Sequence, residues 1–223
     1  MRIGLVACAG MVLLAGCSNP KKASEGNFEK AINAYLEKKP MCINAPTSTT
    51  KATGHDDDRT PYPAYVAMPT ASAGQSNFED RIRSFDALVK AGLASTSTGT
   101  IDTKGSWGSA DEKLAVKIYN LTEDGKKAFV KSPDGNPYGS EFCYGTPVVD
   151  EVTQFTEPSD AFGAMFSSVA YTYHVKDQAS WATNPAMIEA FPSLKQATGD
   201  KLEGKTTVVL TNNGWVDNRD RKF

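Results

Sequence analysis

The chain of 223 residues is 40% hydrophobic and 22% charged, with 18 Gly and 12 Pro. That composition fits one ordinary globular domain or two small ones, and it excludes collagen-like, low-complexity and multi-span membrane chains. The 24 Lys and Arg face 26 Asp and Glu, a formal charge of −2, so there is no basic excess to neutralise a phosphate backbone and nucleic acid is not an expected partner.

Met1-Arg2 gives a positive start, Ile3 to Leu14 is a run of apolar and small residues, and Leu14-Ala15-Gly16-Cys17 follows at once. A helix that crosses a hydrocarbon core of about 30 Å needs about 20 apolar residues, so this shorter run reads as a secretion signal and not as a permanent span. The Leu-Ala-Gly-Cys stretch resembles the lipobox of bacterial lipoproteins. The resemblance implies removal of residues 1–16, acylation of Cys17, and attachment to the membrane through lipid on that cysteine. Two or three acyl chains hold a protein firmly where one does not. In lipoproteins of this kind an Asp after the cysteine favours the inner membrane, and Ser18 stands there. The expected location is therefore the cell envelope, at the periplasmic face of an outer membrane. Residues 17–26 are expected to be the lipidated cysteine and a flexible tether, since Ser18 to Gly26 is small and polar.

Of the four cysteines, Cys8 leaves with the signal and Cys17 is consumed by lipid. Cys42 and Cys143 remain, and outside the cytosol they are expected to form one disulfide, with two buried thiols as the alternative. A bridge that closes about 100 residues contributes about 4–5 kcal/mol in the chain-entropy model. Neither cysteine has a nearby Cys or His at ligand spacing, so no zinc site is expected.

From Asn27, taken as the cap, Phe28, Ala31, Ile32, Tyr35 and Leu36 recur at helical spacing until Pro40. Asn44 to Ser76 is rich in small and turn residues. Within it Tyr62 to Met68 suits a short edge strand between prolines, and Thr47 to Arg59 an open loop. Asn77 opens a second helix, with Phe78, Ile82, Phe85 and Val89 on one stripe and Gly92 at its end. Ser95 to Thr103 and the alternating Leu114, Val116 and Ile118 predict a hairpin with its tip at Lys104 to Asp111. Thr122 then caps a short helix whose acids Glu123 and Asp124 precede Lys126 and Lys127. This order, with Tyr119-Asn-Leu-Thr-Glu-Asp-Gly-Lys-Lys-Ala-Phe129, gives residues 77–129 a local resemblance to a winged-helix module. The DNA binding that such modules commonly perform conflicts with the exported address and the acidic balance. The resemblance therefore implies a borrowed scaffold that contacts protein.

Phe142 to Phe155, with Val148, Val152 and Phe155, and the period-2 row Val169, Tyr171, Tyr173 and Val175 predict long strands. Asn184-Pro185 begins a short helix with Met187, Ile188 and Phe191, stopped by Pro192. Thr206 to Thr211 is a further strand, and the Asn213-Gly214 turn lets Trp215-Val216 pair back. The expected fold class is α+β: N-terminal helices with a β-hairpin, winged-helix-like by resemblance, then an antiparallel sheet with one packed helix. Residues 27–223 form either one domain or two subdomains, 27–131 and 141–223.

Catalytic signals are sparse. There are two histidines, His55 and His174, and His174 reads as a solvated strand position beside Lys176. In His55-Asp56-Asp57-Asp58, His55, Asp56 and Asp58 are candidate ligands for a hard cation, but the run lacks spaced EF-hand oxygens, and a solvated polar loop is the preferred reading. Asp150 and Glu151, adjacent on a strand, are expected on opposite faces and so do not form a carboxylate pair. Nucleophile elbow, phosphate loop, His-Glu-x-x-His and dinucleotide fingerprint are all missing from the sequence, and no catalytic residue or cofactor is assigned. Trp107, in the hairpin tip, is the candidate contact residue. The expected function is a lipid-anchored envelope lipoprotein with a non-catalytic binding or structural role toward another envelope protein or component. The alternatives are an envelope hydrolase acting on cell-wall or saccharide material and a small-ligand or metal binder.

Overall fold

The structure, a computed structural model, describes residues 19–53, 61–70, 75–103, 112–132, 137–161, 163–197, 199 and 201–221. The chain is a mixed α+β protein built on two antiparallel sheets. Among the described residues no helix is long and apolar enough to cross a membrane.

Helix α1 (Glu25–Leu36) buries the stripe read from the sequence, Phe28, Ala31, Ile32 and Leu36. Its partner is the larger sheet. There β1 (Met41–Asn44), β6 (Glu141–Phe155), β8 (Ala164–Lys176), β9 (Leu202–Thr211) and β10 (Gly214–Asp217) lie in that order, with β5 (Phe129–Val130) beside β6 and β7 (Ser159–Ala161) beside β8. Phe28 and Ile32 meet Val149, Val152, Val169, Val208 and Trp215 in one core. The Phe28 ring stands edge-on to both Phe155 and Trp215 at 5.0 Å, an arrangement that opposes positive ring edge to negative ring face.

The smaller sheet runs β2 (Ala64–Ala67), β4 (Glu112–Leu121), β3 (Ala94–Thr103). Helix α2 (Gln75–Lys90) covers it, stacking Phe85 on Tyr119 at 4.6 Å over Ala64 and Val66. An adjoining face of α2 places Ala87 and Leu88 in a third core with Phe142, Tyr144, Val175 and Trp181. Helices α4 (Pro185–Ala190) and α5 (Ser193–Ala197) close that core with Met187 and Leu194. Tyr62 and Val89 pack against both cores on which α2 sits. The short helix α3 (Glu123–Ala128) begins as expected, Thr122 Oγ1 accepting from the Gly125 amide at 3.0 Å.

Cys42 and Cys143 are Cα partners on β1 and β6 and are joined as a disulfide. The large sheet thus joins β1, near the beginning of the chain, to β5 through β10, from residue 129 onward.

Candidate functional site

The segment before α1 was expected to be a loose tether, yet from Asn19 it is docked. Helix α1 starts after Ser24, which carries no side-chain cap bond. Asn27, expected to cap it, instead turns its amide backward and donates to Asn19 O at 2.9 Å and Lys22 O at 2.8 Å. The Trp215 indole N–H donates to Lys21 O at 3.2 Å. Gly214 lets the two segments touch: a Cβ there would lie 2.9 Å from Pro20 O. A small polar composition suggested freedom, but backbone carbonyls are strong acceptors, and an Asn and a Trp at a distance supply the donors.

A groove of about 620 Å³ opens between this segment, α1 and β10, its wall including Pro20, Lys30, Ala31, Ala34, Trp215 and Val216. Asp217 and Asp220 also line it, but both charges are matched. The fully buried Asp217 accepts from Thr206 Oγ1, from the Arg219 amide at 2.9 Å, from Arg219 Nε at 2.9 Å and from Arg219 Nη2 at 2.7 Å. The side-chain hydrogen bonds that Arg219 donates to Asp217 raise the Arg219 pKa still further above its ordinary value, and the guanidinium stacks 4.2 Å from the Tyr35 ring centroid. Asp220 pairs with Lys38. Lys21, Lys22 and Lys30 are exposed and, among the described residues, have no carboxylate within 4.0 Å.

On the larger sheet His174 Nδ1 and Asp150 Oδ1 are 2.6 Å apart, both side chains part-exposed. Strand β6 bulges beside this contact. The register passes from Val149 opposite Tyr173 to Glu151 opposite Thr172, which leaves Asp150 as the extra residue. Thr172 shares a face with His174, two residues on, so Glu151 and Asp150 both lie on that face. The opposite-face reading of the two acids is therefore overturned. A second bulge follows between Val152 and Gln154, and the burial along Val149–Phe155 becomes one buried position per two exposed ones. The spacing of Val149, Val152 and Phe155 by three was the signal available in the sequence. Thr172 Oγ1 is buried here and has no hydrogen-bond partner among the described residues.

On the smaller sheet Asp86 accepts from Lys117 Nζ at 2.7 Å and from the Tyr119 hydroxyl at 2.7 Å. Burial, reinforced by that carboxylate, pushes the Tyr119 phenol well above the ordinary tyrosine range, and burial alone does the same for Tyr62. Beyond these internal contacts, β3 is a ten-residue strand at the sheet edge, with Ser95, Thr96, Ser97 and Thr98 all exposed. Among the described residues no strand pairs with its outer edge.

Cys17, the candidate ligands His55, Asp56 and Asp58, and Trp107 all lie outside the described residues. Among the described residues, the group of metal-ligating side chains that approach one another is Cys42, Glu141 and Cys143, and its two sulfurs are consumed by the disulfide. No family model, curated protein or solved structure matches the chain.

Proposed function

We propose that the protein is a lipid-anchored lipoprotein of the cell envelope that binds another envelope protein without catalysing a reaction, using the β3–β4 hairpin as its contact. The anchor is supported by Leu14-Ala15-Gly16-Cys17 and by the Cys42–Cys143 disulfide, which suits an oxidising compartment. The outer membrane is favoured by Ser18. The observation that carries the binding role is the outer edge of β3, which among the described residues pairs with no strand and meets another segment only where the Thr53 amide donates to Asp102 O near its end. Natural sheets blunt such edges with Lys, Pro, bulges or a covering element, whereas Ala94–Thr103 contains neither Lys nor Pro and pairs with β4 throughout without a register shift. A strand of that kind accepts an extended segment of a partner through main-chain hydrogen bonds.

The winged-helix-like reading of residues 77–129 is supported by a helix followed by a hairpin whose second strand is the central one in the sheet. Its charges favour protein over nucleic acid. Arg83 is paired with Asp80 and Lys117 with Asp86, and the remaining cations Arg81, Lys90 and Lys113 share α2 and β4 with Glu79 and Glu112, so the described residues of these elements carry mixed charge.

The test is crosslinking in intact cells that express the acylated protein, followed by mass spectrometry, comparing the wild type with Ser95→Lys/Ser97→Lys, both exposed and on the face away from Tyr119, and with Cys17→Ser. One reproducible protein partner, lost in both variants while their thermal melts match the wild type, is the expected result. A partner retained at full yield by the lysine variant would overturn the edge as the contact, and the absence of any partner would overturn the binding role.

A further inference from the structure

We propose that the domain stands on an anionic phospholipid surface in one fixed orientation, with Pro20–Lys22, the groove and the Asn212-Asn213 turn facing the headgroups; this rests on acylation of Cys17. Most tethers uncouple a domain from its anchor, because a flexible chain of several residues explores many directions. Here the tether is almost abolished. The carbonyls of Asn19 and Lys22 accept from Asn27 and that of Lys21 from Trp215, while the Lys21 amide donates to Asn19 Oδ1 within the segment, and Ser18 alone stands between Asn19 and Cys17. Two residues of fully extended chain reach about 7 Å, which is shorter than the helix diameter of about 10 Å. The lipid must therefore leave the molecule beside the docked segment.

The charges nearest to that exit are Lys21 and Lys22, both exposed and without a carboxylate partner among the described residues, with Lys30 on the groove wall. Glu25 and Glu29 follow along α1, farther from the cysteine in sequence than either leading lysine. Asp217 and Asp220 are neutralised by Arg219 and Lys38 and do not repel phosphate. Basic residues adjoining a lipid anchor are attracted to anionic headgroups over about a Debye length, and so the two lysines hold the docked face down once the anchor has delivered it.

The experiment uses the acylated protein purified from membranes, its lipid verified by intact mass, in vesicles of phosphatidylcholine and phosphatidylglycerol that contain brominated phospholipid. A fluorophore is attached in turn at Asn213→Cys and Lys30→Cys, the native disulfide being left intact. The expected result is quenching at both sites, lost when a long Gly-Ser linker is inserted after Ser18 and reduced in Lys21→Glu/Lys22→Glu. Fluorophores that are unquenched in acylated protein, or quenched equally with the linker, would overturn the fixed orientation while leaving the anchor intact. A mass without acyl chains would overturn the anchor and the orientation together.

Discussion

Gly125 sits where α3 passes the backbone of Leu93: a Cβ on it would lie 1.8 Å from Leu93 O and 2.9 Å from Leu93 C. That carbonyl cannot swing aside, because it accepts from the Thr122 amide at 3.1 Å while the Leu93 amide donates to Leu88 O at 2.9 Å. Gly125→Ala should therefore cost about 1–3 kcal/mol or more through forced backbone movement, read as a lower urea midpoint at unchanged slope. Gly26 is the control. Nothing lies within 4 Å of its Cβ position in α1, so Gly26→Ala should stabilise by at most about 1 kcal/mol through helix propensity. A second residue-scale outcome concerns the buried phenols. The pKa of Tyr119 and of Tyr62 is raised in the folded state, so the unfolded chain releases these protons first. The stability they contribute is whole below the unfolded value near 10 and declines as pH rises above it, by about 1.4 kcal/mol per pH unit for each group. Denaturation midpoints measured across that range should fall steeply in the wild type and less so in Tyr119→Phe. An equal slope in both would show that Tyr119 ionises freely in the native state.

Helix α1 shows how far a sequence pattern reaches. Its apolar spacing located the buried face correctly, because that periodicity is set by the helix itself. Its beginning was misplaced because Asn is a good cap in general, whereas this Asn27 serves a longer-range contact with Asn19 and Lys22. The same division runs through the other elements. The hairpin, the Thr122 cap and the Pro185 helix start rest on neighbours in sequence and were legible there. The bulges of β6 depend on how β8 registers against it, and so the alternation rule misassigned Asp150 and Glu151. The disulfide was legible because two cysteines remained once the expected signal and the proposed lipid site were set aside. The groove was not, because residues 20–34 and 213–220 meet only once β10 has closed the sheet over α1. The docked segment makes a prediction at this scale. Asn27→Ala removes two hydrogen bonds at a partly exposed site, worth about 1 kcal/mol together after exchange for water, and the loss should be local. Amide exchange at Lys21, Lys22 and the first turn of α1 should quicken while the central strands β8 and β9 keep their protection. Uniform acceleration across the sheet would mean that the segment is part of the global unfolding unit.

The whole molecule is closed by a bond between its beginning and its middle. Cys42 and Cys143 are 101 residues apart in sequence, and the loop between them contains α2, α3 and the entire smaller sheet. A cross-link over such a span removes about 4–5 kcal/mol of freedom from the unfolded chain, against a typical total stability of about 5–15 kcal/mol. On the proposed envelope location, export and folding are coupled, since the bridge persists only in an oxidising compartment. The exported protein should resist thiol alkylation until it is unfolded and reduced, and reduction should lower its unfolding free energy by about 3–5 kcal/mol. Chain lacking residues 1–16 and made in a reducing cytosol should carry free thiols and share that lower stability. The double variant Cys42→Ser/Cys143→Ser separates the bridge from other effects of the reductant: its midpoint should match that of the reduced wild type and should not move when reductant is added. The opposite outcome, an exported wild type whose midpoint is indifferent to reduction, would mean that native packing of β1 on β6 already restricts the denatured chain and that the bridge adds little beyond it.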